Sequence, residues 1–296
     1  MSVNFPTHYV QQYSTNVELL LQQKGSKLRG LVSEGSYSGK QASPVDQIGA
    51  VTAQRRTSRF APMGRVDAPT DRRWVFPSFY DLPQLVDSID KLQMITDPES
   101  ALVQNAIYAM GRAMDDEIIA AFFADAKTGE SGASTTAFGS GQSVSVSLGG
   151  TTSGLNVPKL REARRLLMAN EVDLDTVMPT IVITSNEHDD LLGEIQITSK
   201  DYNSGPVLVD GKIKSFMGFN FVHCERLTTG TDDAAGTSTQ IPVFVPGAMH
   251  LGLWQDLQTT ISQRTDLAGL PWQAYVAQSY GATRIEEKKI VRIWCR

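Results

Sequence analysis

A run from Asp97 to about Ala126, DPESALVQNAIYAMGRAMDDEIIAAFFADA, holds the longest uninterrupted helical pattern in the chain, and its length limits what can be built around it. Asp97 can serve as N-cap, Pro98 suits a first-turn position that needs no amide donor, and Glu99 sits at the positive end of the helix dipole. Val103, Ile107, Met110, Met114, Ile118, Ala121 and Phe122 recur at steps of three and four, which makes one apolar stripe. Lys127, Thr128 and Gly129 close the pattern. About thirty residues at 1.5 Å each make a rod of ~45 Å, whereas a compact globule of this chain length has a radius of gyration of roughly 19 Å. The rod predicts an elongated or plate-like molecule. Asp115, Asp116 and Glu117 are consecutive, so their side chains diverge and cannot converge on one ion. They are expected to face solvent or a neighbouring subunit, or to pair with a residue such as Arg112.

The segments before the rod look unable to bury themselves. Tyr9, Val10, Tyr13, Val17, Leu20 and Leu21 fall at helical spacing and end at Gly25, which predicts one amphipathic helix needing a surface on which to dock. From Lys24 to Gly49 the composition turns to Gly, Ser, Gln and Lys and reads as an extended arm. Residues 50–81 follow, with two extended runs around Pro62, Gly64 and Pro69, and predict a long β-hairpin. A lone two-stranded hairpin is marginal in water. This one carries Arg55, Arg56, Arg59, Arg65, Arg72 and Arg73 beside Phe60, Trp74, Phe76, Phe79 and Tyr80. Arg and aromatic side chains are the types enriched where proteins meet. Intersubunit contact through Arg55, Arg56, Arg59, Arg65, Arg72, Arg73, Trp74, Phe76 and Tyr80 is the favoured reading. The alternatives are aromatics folded back on their own domain, or a basic strip for DNA that Asp67 and Asp71 dilute.

Leu82 to Thr96 leads into the rod as helix or strand. Gly129 to Leu155 is rich in Gly, Ser and Thr and reads as a flexible connection, with a period-two run at Ser143 to Leu148. From Asn156 the pattern is α/β. Asn156 caps a helix with Pro158 in its first turn and Leu160, Ala163, Leu166 and Leu167 on one face. A strand is predicted at Thr180–Ile183, then a short helix opened by a Thr184–Glu187 capping box. Asp210-Gly211 signals a tight hairpin, and Phe219–Cys224 another strand. Extended runs close the chain at Ile241–Val245, Leu251–Trp254, Thr259–Gln263, Ala274–Ile285 and Lys288–Cys295. Laid beside the rod as a sheet, they would make the first domain discontinuous, with residues 156–245 inserted into it.

Composition narrows the chemistry. A formal charge of -5 across 296 residues argues against a general nucleic-acid binder, since phosphate affinity comes from Lys and Arg. Cys224 and Cys295 match no metal spacing or disulfide framework, which suits a reducing cytoplasm. No apolar run reaches a membrane span, and no signal region opens the chain. Glu187, His188, Asp189 and Asp190 read as acids of a helix first turn before they read as metal ligands. His223 and Cys224 are adjacent on a strand, leave opposite faces and cannot form a nucleophile pair. Gly139 and Gly141 lack the rest of a phosphate loop, and no Gly-x-Ser-x-Gly elbow occurs. Nothing nominates a catalytic residue, a metal or a cofactor.

Together RRWVFPSFYD, VDSIDKLQMITDP, AIYAMGRAMDDEIIAAFFADAKTG and YGATRIEEKKIVRIWC, in that order, resemble the major capsid proteins of tailed bacteriophages. The resemblance implies an α+β chain of the HK97-like capsid fold. An N-arm would occupy residues 1–49 and an extended β-hairpin loop 50–81. A peripheral domain would take 82–155 and 246–296, with its sheet and the spine helix 97–126, and an inserted α/β axial domain would take 156–245. The N-arm would dock through Tyr9, Tyr13, Val17, Leu20 and Leu21. It further implies pentamers and hexamers closing into an icosahedral shell around double-stranded DNA, with a portal protein, non-specific contact with the packaged DNA, and no membrane. Assembly would take place in the bacterial host cytoplasm and the product would be the virion capsid. Some relatives cross-link a loop lysine to a neighbour's asparagine, but no lysine lies between Lys40 and Lys91, so that route is not expected. No charged helical region precedes the arm, which points to a separate scaffolding protein. An encapsulin-type compartment, another virion component and a soluble α/β enzyme are the rival expectations.

Overall fold

A computed structural model describes residues 21–56, 58–59, 64–86, 99–149, 153–198, 208–209, 212–232 and 236–296. The chain divides into two compact units. The larger comprises Ser26–Ser78, Ala113–Trp254 and Ser279–Arg296; the smaller comprises Met1–Gly25, Phe79–Arg112 and Gln255–Gln278.

In the larger unit the chain opens with β1 (Ser33–Ser36) and β2 (Ala42–Ile48), followed by β3 (Thr70–Val75). β2 and β3 pair antiparallel, with Asp46 opposite Arg72 and Ile48 opposite Thr70. The hairpin therefore exists, but its first arm lies upstream of the predicted one. Residues 51–56 are exposed and carry no strand, while the stretch read as an arm supplies β2. The 51–56 run has no partner for its ladder, because β3 is already occupied from Thr70 by β2. Nor is the hairpin isolated. The next strand is β4 (Ser78–Val86), which from Phe79 belongs to the smaller unit, and the long helix α1 covers Glu99–Phe123, entering the larger unit at Ala113. After α1, β5 (Ala126–Thr128) and β6 (Ser134–Thr136) extend the hairpin to a sheet of order β2-β3-β5-β6. Ala126, Lys127 and Thr128 thus belong to a strand rather than to the helix end, and Asp97 and Pro98 lie outside the described residues.

The helix end is closed from outside. The last carbonyls of a helix lack internal partners. Here the buried Arg284 guanidinium donates to the Phe122 oxygen at 2.9 Å and the Ala124 oxygen at 2.8 Å, and to Thr136 O at 3.0 Å. In this half of the helix the predicted Met114, Ile118 and Phe122 are buried, Ala121 is half-buried, and Ile119, outside the predicted stripe, is buried too; the Phe122 ring lies 4.9 Å from that of Phe244.

The linker reading of residues 129–155 gives way to anchored backbone. β7 (Ser143–Val144) joins a sheet, and Val144, Val146 and Leu155 are buried. Then α2 (Val157–Ala169) starts with Lys159 N donating to the Asn156 side chain at 3.0 Å. It ends in a Schellman-type closure, Val172 N to Leu167 O and Glu171 N to Met168 O, with Glu171 at a left-handed φ of 60°. β8 (Thr180–Ile183) is buried at all four positions, as a strand covered on both faces must be. Its helix α3 (Ser185–Gly193) carries the Thr184–Glu187 capping box read from sequence, and α4 (Ile195–Thr198) follows. β9 (Leu208–Val209) and β10 (Lys212–Ile213) pair antiparallel around Asp210 and Gly211, two residues outside the described set.

The remaining strands of this unit are β11 (Ser215–Phe216), β12 (Phe219–His223), β13 (Thr229–Asp232) and β14 (Gly236–Phe244). The last elements of the chain are β15 (Met249–Gln263), β16 (Trp272–Arg284) and β17 (Ile290–Cys295). The main sheet runs β11-β12-β8-β14-β17-β7, with β13 on β14. β17 therefore corrects the expectation that all the terminal strands lie beside the rod, because it sits inside the α/β sheet, antiparallel to β14 and parallel to β7. Its composition explains the place: Ile290, Val291, Ile293, Trp294 and Cys295 are buried and fill both faces. Leu251–Trp254 and Thr259–Gln263, read as two runs, are one strand, β15.

The fourth sheet has the order β1-β15-β16-β4. β1 runs parallel to β15, and His250 on β15 is buried against it, with Nδ1 3.0 Å from Ser33 Oγ and Nε2 2.8 Å from Tyr37 Oη. At Gly281 on β16 an added Cβ would lie 2.1 Å from the Phe76 carbonyl oxygen, so only glycine lets these backbones approach. In the smaller unit, Ala106 and Met110 of α1 pack with Val276 of β16, Tyr80 and Leu82 of β4 and Leu257 of β15.

Candidate intersubunit interface

The connection between β2 and β3, residues 49–69, carries four of the arginines singled out in the sequence. Arg55, Arg56, Arg59 and Arg65 are all exposed. Their contacts are local: Arg56 Nε donates to Ser58 O at 2.9 Å, and Arg65 pairs with Asp67 at 2.7 Å with both side chains largely in solvent. Such exposed pairs contribute little to stability. Apolar side chains share the region, with Val51 and Val66 exposed and Ile48 left 76% exposed. A surface of charged forks and uncovered aliphatics does nothing for the monomer's own core.

Other predicted residues divide. Arg72 stays half open and pairs with Asp46 across the hairpin at 2.5 Å, with its guanidinium 5.7 Å above the Trp74 ring. The Asp46 hydrogen bond holds the Arg72 pKa above its ordinary value. Arg73 is a correction: it is 4% exposed, and it donates to Ile285 O and to Glu287 Oε2, each at 2.9 Å. Strand alternation explains the split, since neighbours on β3 leave opposite faces. Trp74 is half-buried and donates its indole N–H to Gly129 O at 2.7 Å. Tyr80 is half-buried, packed on one side against the Met110–Val276 core. Phe76 remains exposed, and Phe79 is 79% exposed, the most open of the aromatics named above among the described residues.

Residues 26–28 meet an acid that the sequence placed at the surface. Asp115, expected at the surface, is fully buried. Its carboxylate accepts from Ser26 Oγ at 2.5 Å, Lys27 N at 3.0 Å and Leu28 N at 3.1 Å. Three donors around one carboxylate clamp residues 26–28 to α1. Asp116 faces outward and binds Arg226. Arg112, offered as a partner for these acids, instead donates to Gln22 Oε1 at 2.6 Å. Three adjacent acids gave no hint of which one would be claimed by backbone amides. Of the docking residues, Tyr9, Tyr13, Val17 and Leu20 lie outside the described residues, and Leu21 is fully exposed.

A profile of the phage capsid protein family matches residues 5–296, nearly the whole chain. The chain belongs to the phage capsid protein family. The capsid protein has its fold in common with solved shells at low identity. A chain of the cyanophage Pam1 capsid matches with TM-score 0.75 at 13% identity, over 99% of this chain and 98% of that one. The cyanophage P-SCSP1u capsid gives 0.72 at 12%, over 98% and 93%, and the Ralstonia phage GP4 capsid 0.71 at 9%, over 100% and 98%. The α+β architecture is thus the HK97-like capsid fold, and the capsid protein is a structural, self-associating virion component. Among curated proteins none matches its sequence.

Proposed function

We propose that the chain is the major subunit of an icosahedral shell, assembling as pentamers and hexamers around packaged double-stranded DNA. The observation that carries this reading is membership of the phage capsid family over residues 5–296, joined to the exposure of Arg55, Arg56, Arg59, Arg65, Val51 and Val66 in the connection between β2 and β3. Many interfaces of this modest kind sum to a stable shell by multivalency. The N-arm is the chain before β1, and the extended loop is the β2–β3 hairpin with its 49–69 connection. The spine helix α1 and the long strands form the peripheral domain, and residues 156–245 form the axial domain, completed in the sheet by β7 and β17. The subunit acts mechanically and is not an enzyme. Its partners are its own copies, a separate scaffolding protein, a portal protein and, non-specifically, the genome. It assembles in the host cytoplasm and resides in the virion.

Electron microscopy of the purified protein, with and without its scaffolding protein, tests the reading. Closed shells are the expected result. A small discrete oligomer under both conditions would overturn it, and shells filled with protein cargo instead of DNA in producing cells would move it to an encapsulin-type compartment.

A further inference from the structure

A cavity of about 720 Å³ opens beside β12 in the larger unit. Its rim is basic: Lys27, Lys212 and Lys214 are exposed around it, and His188 and His223 line it too. Its floor is apolar, formed by Ile183, Ile213 and Phe221. Lys27 donates to the His223 carbonyl at 2.8 Å, and Glu225, bonded to His223 and Ser185 N, is the nearby acid. Lys212 and Lys214 make no ion pair among the described residues. In a chain of net charge -5 this is a local excess of positive charge over a hydrophobic base.

The same unit carries a surface of opposite character. The connection from α2 to β8, Asn170–Pro179, exposes Glu171, Asp173 and Asp175, and Met178 beside them is 46% exposed. Asp173 is committed to its own turn, accepting from Asp175 N at 3.1 Å and Thr176 N at 3.2 Å. Those bonds fix the loop's shape before any encounter. Glu171 and Asp175 make no ion pair among the described residues, which leaves two carboxylates and a thioether free.

We infer that the Asn170–Pro179 loop of a second copy docks in this basic cavity, with Glu171 and Asp175 meeting Lys212 and Lys214 and Met178 reaching the apolar floor. The inference rests on the shell reading. A ring of identical subunits is closed by a head-to-tail interface, which needs two different, complementary patches on each copy. These patches have that character in charge and in polarity. A DNA duplex is the competing occupant, and it fits less well: its backbone would meet the lysines but offers nothing apolar to the floor. Opposed charges of this kind steer encounter and fix register.

A charge swap tests it. Lys212→Glu with Lys214→Glu, and separately Glu171→Lys with Asp175→Lys, should each lower the yield of closed shells about tenfold while circular dichroism and thermal unfolding stay as in the parent. The four changes in one chain should restore the yield. Mixed in one solution, the two double variants should co-assemble into alternating hexamers, because every contact between unlike copies is complementary, while a five-membered ring keeps one like-charged contact. Two folded double variants whose combination stays as defective as either alone overturn the inference, as do double variants that form shells normally. Normal shells that bind less DNA would assign the cavity to phosphate instead. The parent protein's own shells, scored in the same experiment, show whether the capsid reading holds independently of this interface.

Discussion

Asp115, Lys159 and Arg284 are charged and wholly buried, and each directs its charge at backbone groups. Lys159 Nζ donates to Ser153 O at 2.6 Å and Trp294 O at 2.8 Å, holding the end of β17 to α2. Burial beside it pushes the Cys295 thiol up to about 12, so this cysteine stays protonated and inert. Removing a buried partner leaves the others unsatisfied, which costs more than the bond itself contributes. Asp115→Ala should therefore destabilise the larger unit by about 2–3 kcal/mol, with faster hydrogen exchange at the Lys27 and Leu28 amides. Unchanged exchange there would show that the clamp is incidental. His250 gives a pH prediction. Burial lowers its pKa from the ordinary 6.5. The unfolded chain then binds the proton more readily than the folded one, so stability rises with pH where the unfolded histidine is still protonated and the folded one is not. Stability should be fully present above about pH 6.5 and fall as the pH drops below it, down to the lowered folded value. Denaturant titrations between pH 5 and about 7.5 should show that slope in the parent and a smaller one in His250→Gln.

Elements with local signals were legible, and those with distant partners were not. Asn156 and the Thr184–Glu187 box announce α2 and α3 because a cap bonds within its own first turn. Thr180–Ile183 announces itself by its run of β-branched residues, TIVI. β2 stayed hidden because Pro44, Asp46 and Gln47 give it a loop-like composition, and only pairing with β3 makes it a strand. β17 showed its strand character, yet nothing in IVRIWC says that β14 and β7 are its neighbours. Of the candidate interface, the four arginines of 49–69 were readable, while the burial of Arg73 depends on which face the register selects. The end of α1 was equally opaque, since its cap comes from Arg284, 160 residues away from Ala124 in sequence. Arg284→Met should cost about 3 kcal/mol, the scale for breaking a buried charged network, and should fray the last turn of α1. Circular dichroism and thermal unfolding read both effects, and an unshifted melting temperature would reassign the helix end to its own hydrogen bonds.

For the molecule as a whole, the split between Arg73 and the loop arginines separates folding from assembly. Arg55, Arg56, Arg59 and Arg65 changed together to Ala should leave the melting temperature of the isolated subunit within experimental error, because their contacts are exposed. Shell formation followed by sedimentation should fall sharply. Arg73→Ala should do the reverse in order of cause, lowering the melting temperature first because Glu287 and the Ile285 carbonyl each lose one of their donors. A quadruple variant with normal shells would take the loop out of the interface.

The clamp at Asp115 has a mechanical consequence. Residues 26–28 precede β1 in the chain, so any tension drawn through residues 1–25 by a neighbouring copy reaches the carboxylate before it reaches the β1 ladder. The carboxylate then works as the strain relief on a cable does. It passes the load into the middle of a long helix, whose own hydrogen bonds run along its axis, and shields a four-residue parallel strand from being peeled off its sheet. A shell whose arms are under tension would yield first by slipping at Ser26 and keep its subunits folded.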